Sequence, residues 1–146
     1  VYKRQDTKNI NMLGVSRGGM MTYETLREDR RIHKAVVVAG VADCTMNYEE
    51  REDMRSLLTE LIGGTPEQLP EEYSRRSAVE WADEINTPLL VFHTTGDDKV
   101  SIKQVDKLVK QLKKYQKDYE YVTFESNIHG DLRKTDVEKI RKWLQT

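Results

Sequence analysis

Hydrophobic residues cluster in four short runs along the chain, separated by longer polar segments. The runs occupy 9–13, 35–39, 88–92 and 119–124. The second and third are almost continuously apolar, which is typical of strands buried on both faces of a sheet. The fourth is rich in aromatic and β-branched residues, which also favour strands. The sequence therefore predicts four β-strands.

Helical patterns lie between these strands. One follows the first strand over 20–28, another begins after Ser101 with an amphipathic apolar stripe, and a last one begins at Thr135. The side chains expected to face inward from the last helix are Val137, Ile140 and Leu144. Because helices separate consecutive strands, the strands should be parallel. The predicted fold class is α/β, a mainly parallel sheet with helices on both faces.

The segment 41–81 differs from the rest of the chain, because it carries helical patterns without a strand. Apolar residues recur at helical spacing over 54–62, and Gly63 follows as a helix end. Capping boxes are predicted at 77–80 and 101–104, each opening a helix. We interpret 41–81 as a helical excursion of the kind that shapes a substrate site, with a plain connector as the alternative.

Composition and charge exclude several classes of protein. The formal net charge is −1, so no overall field attracts nucleic acid or an anionic membrane. The longest apolar run, 35–42, is too short to cross a bilayer. The single cysteine, Cys44, excludes an intrachain disulfide and a cysteine metal cluster. We expect no metal and no cofactor. The compartment stays open, with a cytoplasmic location favoured.

A G-x-S-x-G pattern at 14–18 places Ser16 where the first strand meets the first helix. In α/β-hydrolases this pattern forms the nucleophile elbow, a strained turn in which small neighbours leave the serine hydroxyl exposed. Here Gly14 and Gly18 are the small neighbours. A lone pattern of this kind also occurs in ordinary loops, but the strand before it and the helix after it favour the elbow.

Three polar residues follow the carboxyl ends of predicted strands, where open α/β sheets build their sites. Ser16 follows the first strand, Asp97 the third and His129 the fourth. The order Ser, Asp, His is the order of the α/β-hydrolases. Two other histidines compete for the role of base. We interpret His33 as a surface residue and His93 as a structural one, and favour His129.

Three motifs together resemble the prolyl oligopeptidase family of serine peptidases. The stretch 14–19 is similar to the family's G-x-S-x-G-G, 93–100 to its H-G-x-x-D-x-x-V, and 128–130 to its closing H-G. The resemblance implies an α/β-hydrolase fold, with Ser16 as nucleophile, Asp97 as the acid and His129 as the base. Asp98 is the alternative acid. Thr94 departs from the family pattern, because it occupies a glycine position.

The resemblance also implies that residues 1–146 are the C-terminal part of a hydrolase domain. Four further strands would precede the elbow in a family domain and would supply one donor of the oxyanion hole. The backbone N–H of Arg17 can supply the other. We therefore expect this chain alone to be inactive, and its first strand to leave an unpaired edge that could associate with another chain.

The leading hypothesis is a serine peptidase that cleaves short peptides through an acyl-enzyme. A carboxylesterase or another acyl-hydrolase is the first alternative, because fold and triad do not fix the acyl group. A non-catalytic interaction module of the same fold is the second. The expected partners are a short peptide or small acyl substrate and the upstream part of the domain, with a homo-oligomer left open and no nucleic acid or membrane.

Overall fold

The computed structural model describes residues 6–146 and contains a four-stranded sheet; residues 1–5, where the predicted domain begins, lie outside the described residues. The strands are β1 (Ile10–Val15), β2 (Ile32–Val38), β3 (Leu89–Thr94) and β4 (Tyr119–Phe124), in the order β1-β2-β3-β4. All three neighbouring pairs are parallel. The prediction of four parallel strands is confirmed.

Helices cover both faces of this sheet, as the α/β prediction required. On one face α1 (Arg17–Glu28) and α5 (Ile102–Lys114) pack on Val37 and Val91. On the other face α6 (Lys134–Gln145) packs on Val38 and Phe92. The alternate side chains of β2 and β3 thus enter two separate cores. This burial on both faces explains why the two strands are continuous apolar runs.

The segment between β2 and β3 is the predicted helical excursion. It contains α2 (Cys44–Glu50), α3 (Arg55–Ile62), α4 (Pro70–Arg75) and three 3₁₀ turns, at Glu52–Met54, Ala78–Glu80 and Ala82–Glu84. Gly63 ends α3 in the left-handed region, with φ of 97°. None of the side chains of α3 is buried, although four of its eight residues are leucine or isoleucine. Three of these apolar residues, Leu58, Leu61 and Ile62, line a cavity described below.

Both predicted capping boxes are wrong, because their side chains make tertiary contacts. The Ser77 hydroxyl accepts the N–H of Cys44 at 2.8 Å and donates to the carbonyl of Tyr73 at 2.7 Å. Ser101 does cap α5, but the side-chain oxygen Oε1 of Gln104 accepts two N–H groups, from Ala42 and Asp43, at 3.2 Å each. These bonds tie the segment after β2 to α4 and α5.

The buried face of α6 is also rotated from the predicted one. Val137 is 53% exposed, so the prediction that it faces inward is wrong. Ile140 is buried and Leu144 packs against the core as predicted. Trp143 joins them, and its indole N–H donates to the carbonyl of Ala35 at 3.2 Å. The rotation of the helix thus follows the packing of Ile140, Trp143 and Leu144 together with this hydrogen bond.

The outer edge of β1 has no strand partner among the described residues. Leu13 is 48% exposed and Val15 is 46% exposed on this strand. Across residues 6–146, no helix is long and apolar enough to cross a membrane.

Candidate active site

Ser16 occupies a strained turn between β1 and α1. Its φ of 57° and ψ of −119° lie in a region that residues other than glycine rarely adopt. The Ser16 N–H donates to the carbonyl of Val38 at 2.9 Å, which holds the turn against the end of β2. Although Ser16 is the N-cap residue of α1, its hydroxyl makes no capping hydrogen bond. The hydroxyl is therefore free of the helix that it precedes.

The two glycines of the motif differ in the space available for a side chain. A methyl group added at Gly14 would overlap the carbonyl oxygen of Gly18 and the hydroxyl of Thr22. One added at Gly18 would meet nothing within 4 Å in the part of the chain that the structure describes. Close approach of α1 to β1 therefore explains Gly14, while no described residue requires Gly18 to lack a side chain.

Asp97 follows β3 and its side chain is completely buried. One carboxylate oxygen, Oδ1, accepts the N–H groups of Lys99 at 2.9 Å and Val100 at 3.0 Å. Burial alone would raise the pKa of this carboxyl group. The backbone donors and the neighbouring His129 outweigh it and hold the pKa of Asp97 below its ordinary value. Asp97 is therefore a fixed, buried negative charge at neutral pH.

His129 lies in the histidine loop, residues 125–133, which joins β4 to α6. Its Nδ1 is 2.8 Å from Oδ2 of Asp97 and 3.0 Å from Oδ1. Because the carboxylate only accepts hydrogen bonds, Nδ1 carries the proton and Nε2 is the free acceptor. Gly130 follows with φ of 71°, and a methyl group added there would lie 3.5 Å from Cγ1 of Val15. The histidine loop thus reaches the strand that ends at Ser16.

The structure brings Asp97 and His129 together, while Ser16 and His129 share no hydrogen bond within residues 6–146. The first N–H groups of a helix lack an intrahelical acceptor. Arg17 is the first residue of α1, so its N–H can face an oxyanion beside Ser16.

The alternatives from the sequence occupy other positions. His33 is exposed on β2. His93 is 2% exposed, and its Nε2 lies 2.7 Å from the carbonyl of Val100. Asp98 is 64% exposed at its side chain and pairs only loosely with Lys99, at 3.4 Å. None of the three contacts His129 as Asp97 does, so the geometry favours Asp97 and His129 as the acid and base.

Sequence reasoning missed two features that join the histidine loop to the aspartate loop, residues 95–101. A methyl group at Gly96 would overlap the side-chain oxygen of Asn127 and lie 3.0 Å from the carbonyl oxygen of Ser126, so the absence of a side chain allows Asn127 to approach this closely. The Thr94 hydroxyl donates to the carbonyl of Ile128 at 3.1 Å. The glycine next to Asp97 was the available signal for the first feature. The second could not be read from Thr94, which departs from the family pattern.

An apolar cavity of about 190 Å³ opens beside Ser16. Its walls come from the elbow, from the segment after β2 and from α3; the apolar lining includes Met20, Val41, Met54, Leu58, Ile62 and Val100. Three arginines, Arg17, Arg51 and Arg76, also line it; Arg51 pairs with Asp53 at 2.8 Å and Arg76 with Glu72 at 2.5 Å. A wider depression of about 370 Å³ lies near Arg30 and Asn86, at the amino ends of the strands and remote from Ser16.

Comparison with known proteins gives the family. The sequence model of the prolyl oligopeptidase family matches residues 2–146. This chain belongs to the prolyl oligopeptidase family.

Relatives within the family are longer than this chain. The uncharacterized peptidase YtmA of Bacillus subtilis is 33% identical over 140 residues, which cover 93% of this chain and 54% of YtmA. The chain therefore spans about half the length of that relative.

Solved structures of peptidases share the fold. A puromycin-hydrolyzing peptidase of Mycobacterium tuberculosis superposes with a TM-score of 0.84 at 25% identity, over 95% of this chain and 21% of that one. An acylaminoacyl peptidase in complex with Z-Gly-Gly-Phe-chloromethyl ketone superposes with a TM-score of 0.81 at 22% identity, over 97% of this chain and 23% of that one. The fold class predicted from the sequence, an α/β-hydrolase fold, is confirmed.

Proposed function

We propose that this chain is the triad-bearing part of a serine peptidase, with Ser16 as nucleophile, His129 as general base and Asp97 as the orienting acid. The observation that carries the proposal is the Asp97–His129 hydrogen bond of 2.8 Å beside a strained elbow at Ser16. Family membership supports peptide hydrolysis as the reaction.

The expected reaction has two halves. As the Ser16 oxygen bonds to the peptide carbonyl carbon, its proton passes to the free Nε2 of His129. His129 then gives that proton to the departing amine as the C–N bond breaks, which leaves an acyl-enzyme. Water then attacks the acyl-enzyme with the same proton transfers and releases the carboxylic acid product. Asp97 stays ionised throughout and stabilises the imidazolium that forms in each half.

The oxyanion site supports the proposal that the upstream part of the domain is required. The N–H of Arg17 supplies one donor, and we assign the second to a segment that precedes this chain. The unpaired edge and the exposed Leu13 and Val15 of β1 give that segment a surface on which to pack. Losing one oxyanion donor typically costs on the order of a hundred- to a thousand-fold in rate. The isolated chain should therefore be inactive or nearly so.

The cavity beside Ser16 supports a peptide substrate with an apolar side chain on the acyl side of the cleaved bond. Its volume of about 190 Å³ and its methionine and leucine walls suit such a side chain. The related acylaminoacyl peptidase carries a peptide chloromethyl ketone that ends in phenylalanine. Short peptides are the proposed substrate class.

A fluorophosphonate probe tests the proposal, because it forms a covalent adduct only with an activated serine. In the full-length protein it should label Ser16, and both Ser16→Ala and His129→Ala should abolish the labelling. The isolated chain should react far more slowly. Equal rates for the two would disprove the need for an upstream donor. A full-length protein that never reacts would favour the interaction-module hypothesis instead.

Turnover measurements separate the two enzymatic alternatives. Short peptide amides and p-nitrophenyl esters are compared with the same full-length protein. A peptidase should cleave both, whereas an esterase should cleave only the esters. Hydrolysis confined to esters would overturn the proposed reaction while leaving the triad in place.

A further inference from the structure

Hydrogen bonds join the histidine loop to the aspartate loop and to the end of β3. Ile128, the residue before His129, is 65% exposed at the surface. Three hydrogen bonds join this loop to the end of β3 and the aspartate loop. Gly96 N–H donates to the Ser126 carbonyl at 3.0 Å, Thr94 donates to Ile128 at 3.1 Å, and His129 bonds to Asp97. The His129 side chain is 23% exposed, so these hydrogen bonds act on an imidazole that solvent partly reaches.

Of these three hydrogen bonds, the one from Thr94 is the closest along the chain to His129, apart from the Asp97–His129 bond itself. Its acceptor is the carbonyl of Ile128, which is part of the peptide unit that carries the N–H of His129. The donor is well anchored, because Thr94 is the last residue of β3 and is 1% exposed. A rigid strand end thus holds the backbone on which the imidazole is mounted.

We propose that the Thr94 hydroxyl positions His129 against Asp97, through its hydrogen bond to the carbonyl of Ile128. This inference rests on the proposed function and adds a positioning residue to it. It also gives a role to the departure from the family pattern at Thr94. A glycine at this position has no hydroxyl, so it could not make this bond.

The Thr94 hydroxyl can be removed without leaving a buried group unpaired. The carbonyl of Ile128 accepts a second hydrogen bond, from the N–H of Asp131 at 3.3 Å. Removing the threonine hydroxyl therefore leaves no unsatisfied acceptor at Ile128. Valine has the shape of threonine without the hydroxyl, so Thr94→Val should fold and keep most of the stability of the wild type. Its effect on catalysis can then be measured separately from folding.

The test compares kcat and KM of full-length variants with a short peptide substrate. Thr94→Val should lower kcat by about ten- to a hundred-fold with little change in KM, because a small misplacement of a catalytic group has effects of that size. Thr94→Ser keeps the hydroxyl and should recover most of the lost kcat. The fluorophosphonate labelling rate should fall in parallel with kcat.

Thr87 provides a matched control. It is 8% exposed, and its hydroxyl donates to the carbonyl of Ile32 at 3.4 Å at the opposite end of the sheet. Thr87→Val removes the same kind of bond and should leave kcat unchanged. A loss of kcat in Thr87→Val as large as in Thr94→Val would mean that general loosening, and not positioning, is responsible.

A double-mutant cycle with Asp97→Asn adds a second readout. Once the acid no longer orients the imidazole, Thr94→Val should cost about twofold or less in kcat. Additive losses would overturn the proposal, as would wild-type kcat in Thr94→Val. If Thr94→Val does not fold, Thr94→Ala against Thr94→Ser makes the same comparison. A wild-type protein that neither turns over nor reacts with the probe would overturn the proposed function, and this inference with it.

Discussion

Replacement of Asp97 by asparagine should disable the base while leaving the fold intact. The two oxygens of Asp97 differ in their partners: Oδ1 accepts the N–H groups of Lys99 and Val100 and lies 3.0 Å from Nδ1 of His129, while Oδ2 is closer to that nitrogen, at 2.8 Å. In Asp97→Asn the amide oxygen should keep the two backbone donors, because the opposite orientation would set the NH₂ group against both of them. The NH₂ group then takes the place of Oδ2.

That exchange places a donor against a donor. The amide oxygen still lies near Nδ1, but it already accepts two backbone N–H groups, so the closer NH₂ group favours the tautomer in which Nδ1 is an acceptor and the proton sits on Nε2. A protonated Nε2 cannot take the proton of Ser16. Loss of the correct tautomer in a serine triad lowers kcat by about 10⁴-fold. Since each tenfold corresponds to about 1.4 kcal/mol, the loss is roughly 5–6 kcal/mol of transition-state stabilisation.

Asp98→Asn is the matched control, because it makes the same chemical change one residue away. The Asp98 side chain is 64% exposed and pairs with Lys99 at 3.4 Å, so its loss should leave kcat within about a few-fold of wild type. The assay is kcat of full-length protein on a short peptide amide, with thermal unfolding to show that each variant is folded. If Asp98→Asn loses more activity than Asp97→Asn, the assignment of the acid is wrong.

Two further predictions concern stability. Gly14→Ala should destabilise the protein by about 1–3 kcal/mol in urea unfolding, because the added methyl group overlaps backbone that cannot easily move; an unchanged unfolding midpoint would refute the close packing of α1 on β1. Burial lowers the pKa of His93 from its ordinary 6.5, so the folded protein binds this proton less readily than the unfolded chain. The free energy of unfolding should therefore fall as the pH drops below about 6.5. His93→Gln, which does not titrate, should weaken this pH dependence. An equal pH dependence in wild type and variant would contradict its assignment to His93.

The sequence was sufficient for the features that depend on local pattern. Unbroken apolar runs identified β2 and β3, since a strand buried on both faces needs apolar side chains at every position. The alternation of strands and helices gave the parallel sheet. It also placed Asp97 and His129 at strand ends on the same edge, where the structure brings them to 2.8 Å. Their catalytic roles, and that of Ser16, stay predictions.

The tertiary structure determined what each polar side chain does at long range. Gln104 and Ser77 stand in local capping patterns, but they bond backbone groups that are 62 and 33 residues away. Val137 fits the helical period yet faces solvent, because α6 packs on the core through Ile140, Trp143 and Leu144.

Long-range contacts at the candidate site were likewise not predictable from the local pattern. Thr94 donates to a carbonyl 34 residues later, and Gly96 admits a side chain of the histidine loop. A local pattern identifies helices because their hydrogen bonds lie close along the chain, and it identifies buried strands because burial on both faces requires an apolar run. Contacts between loops depend on how the finished elements dock, and the pattern of one segment carries no information about the distance to another.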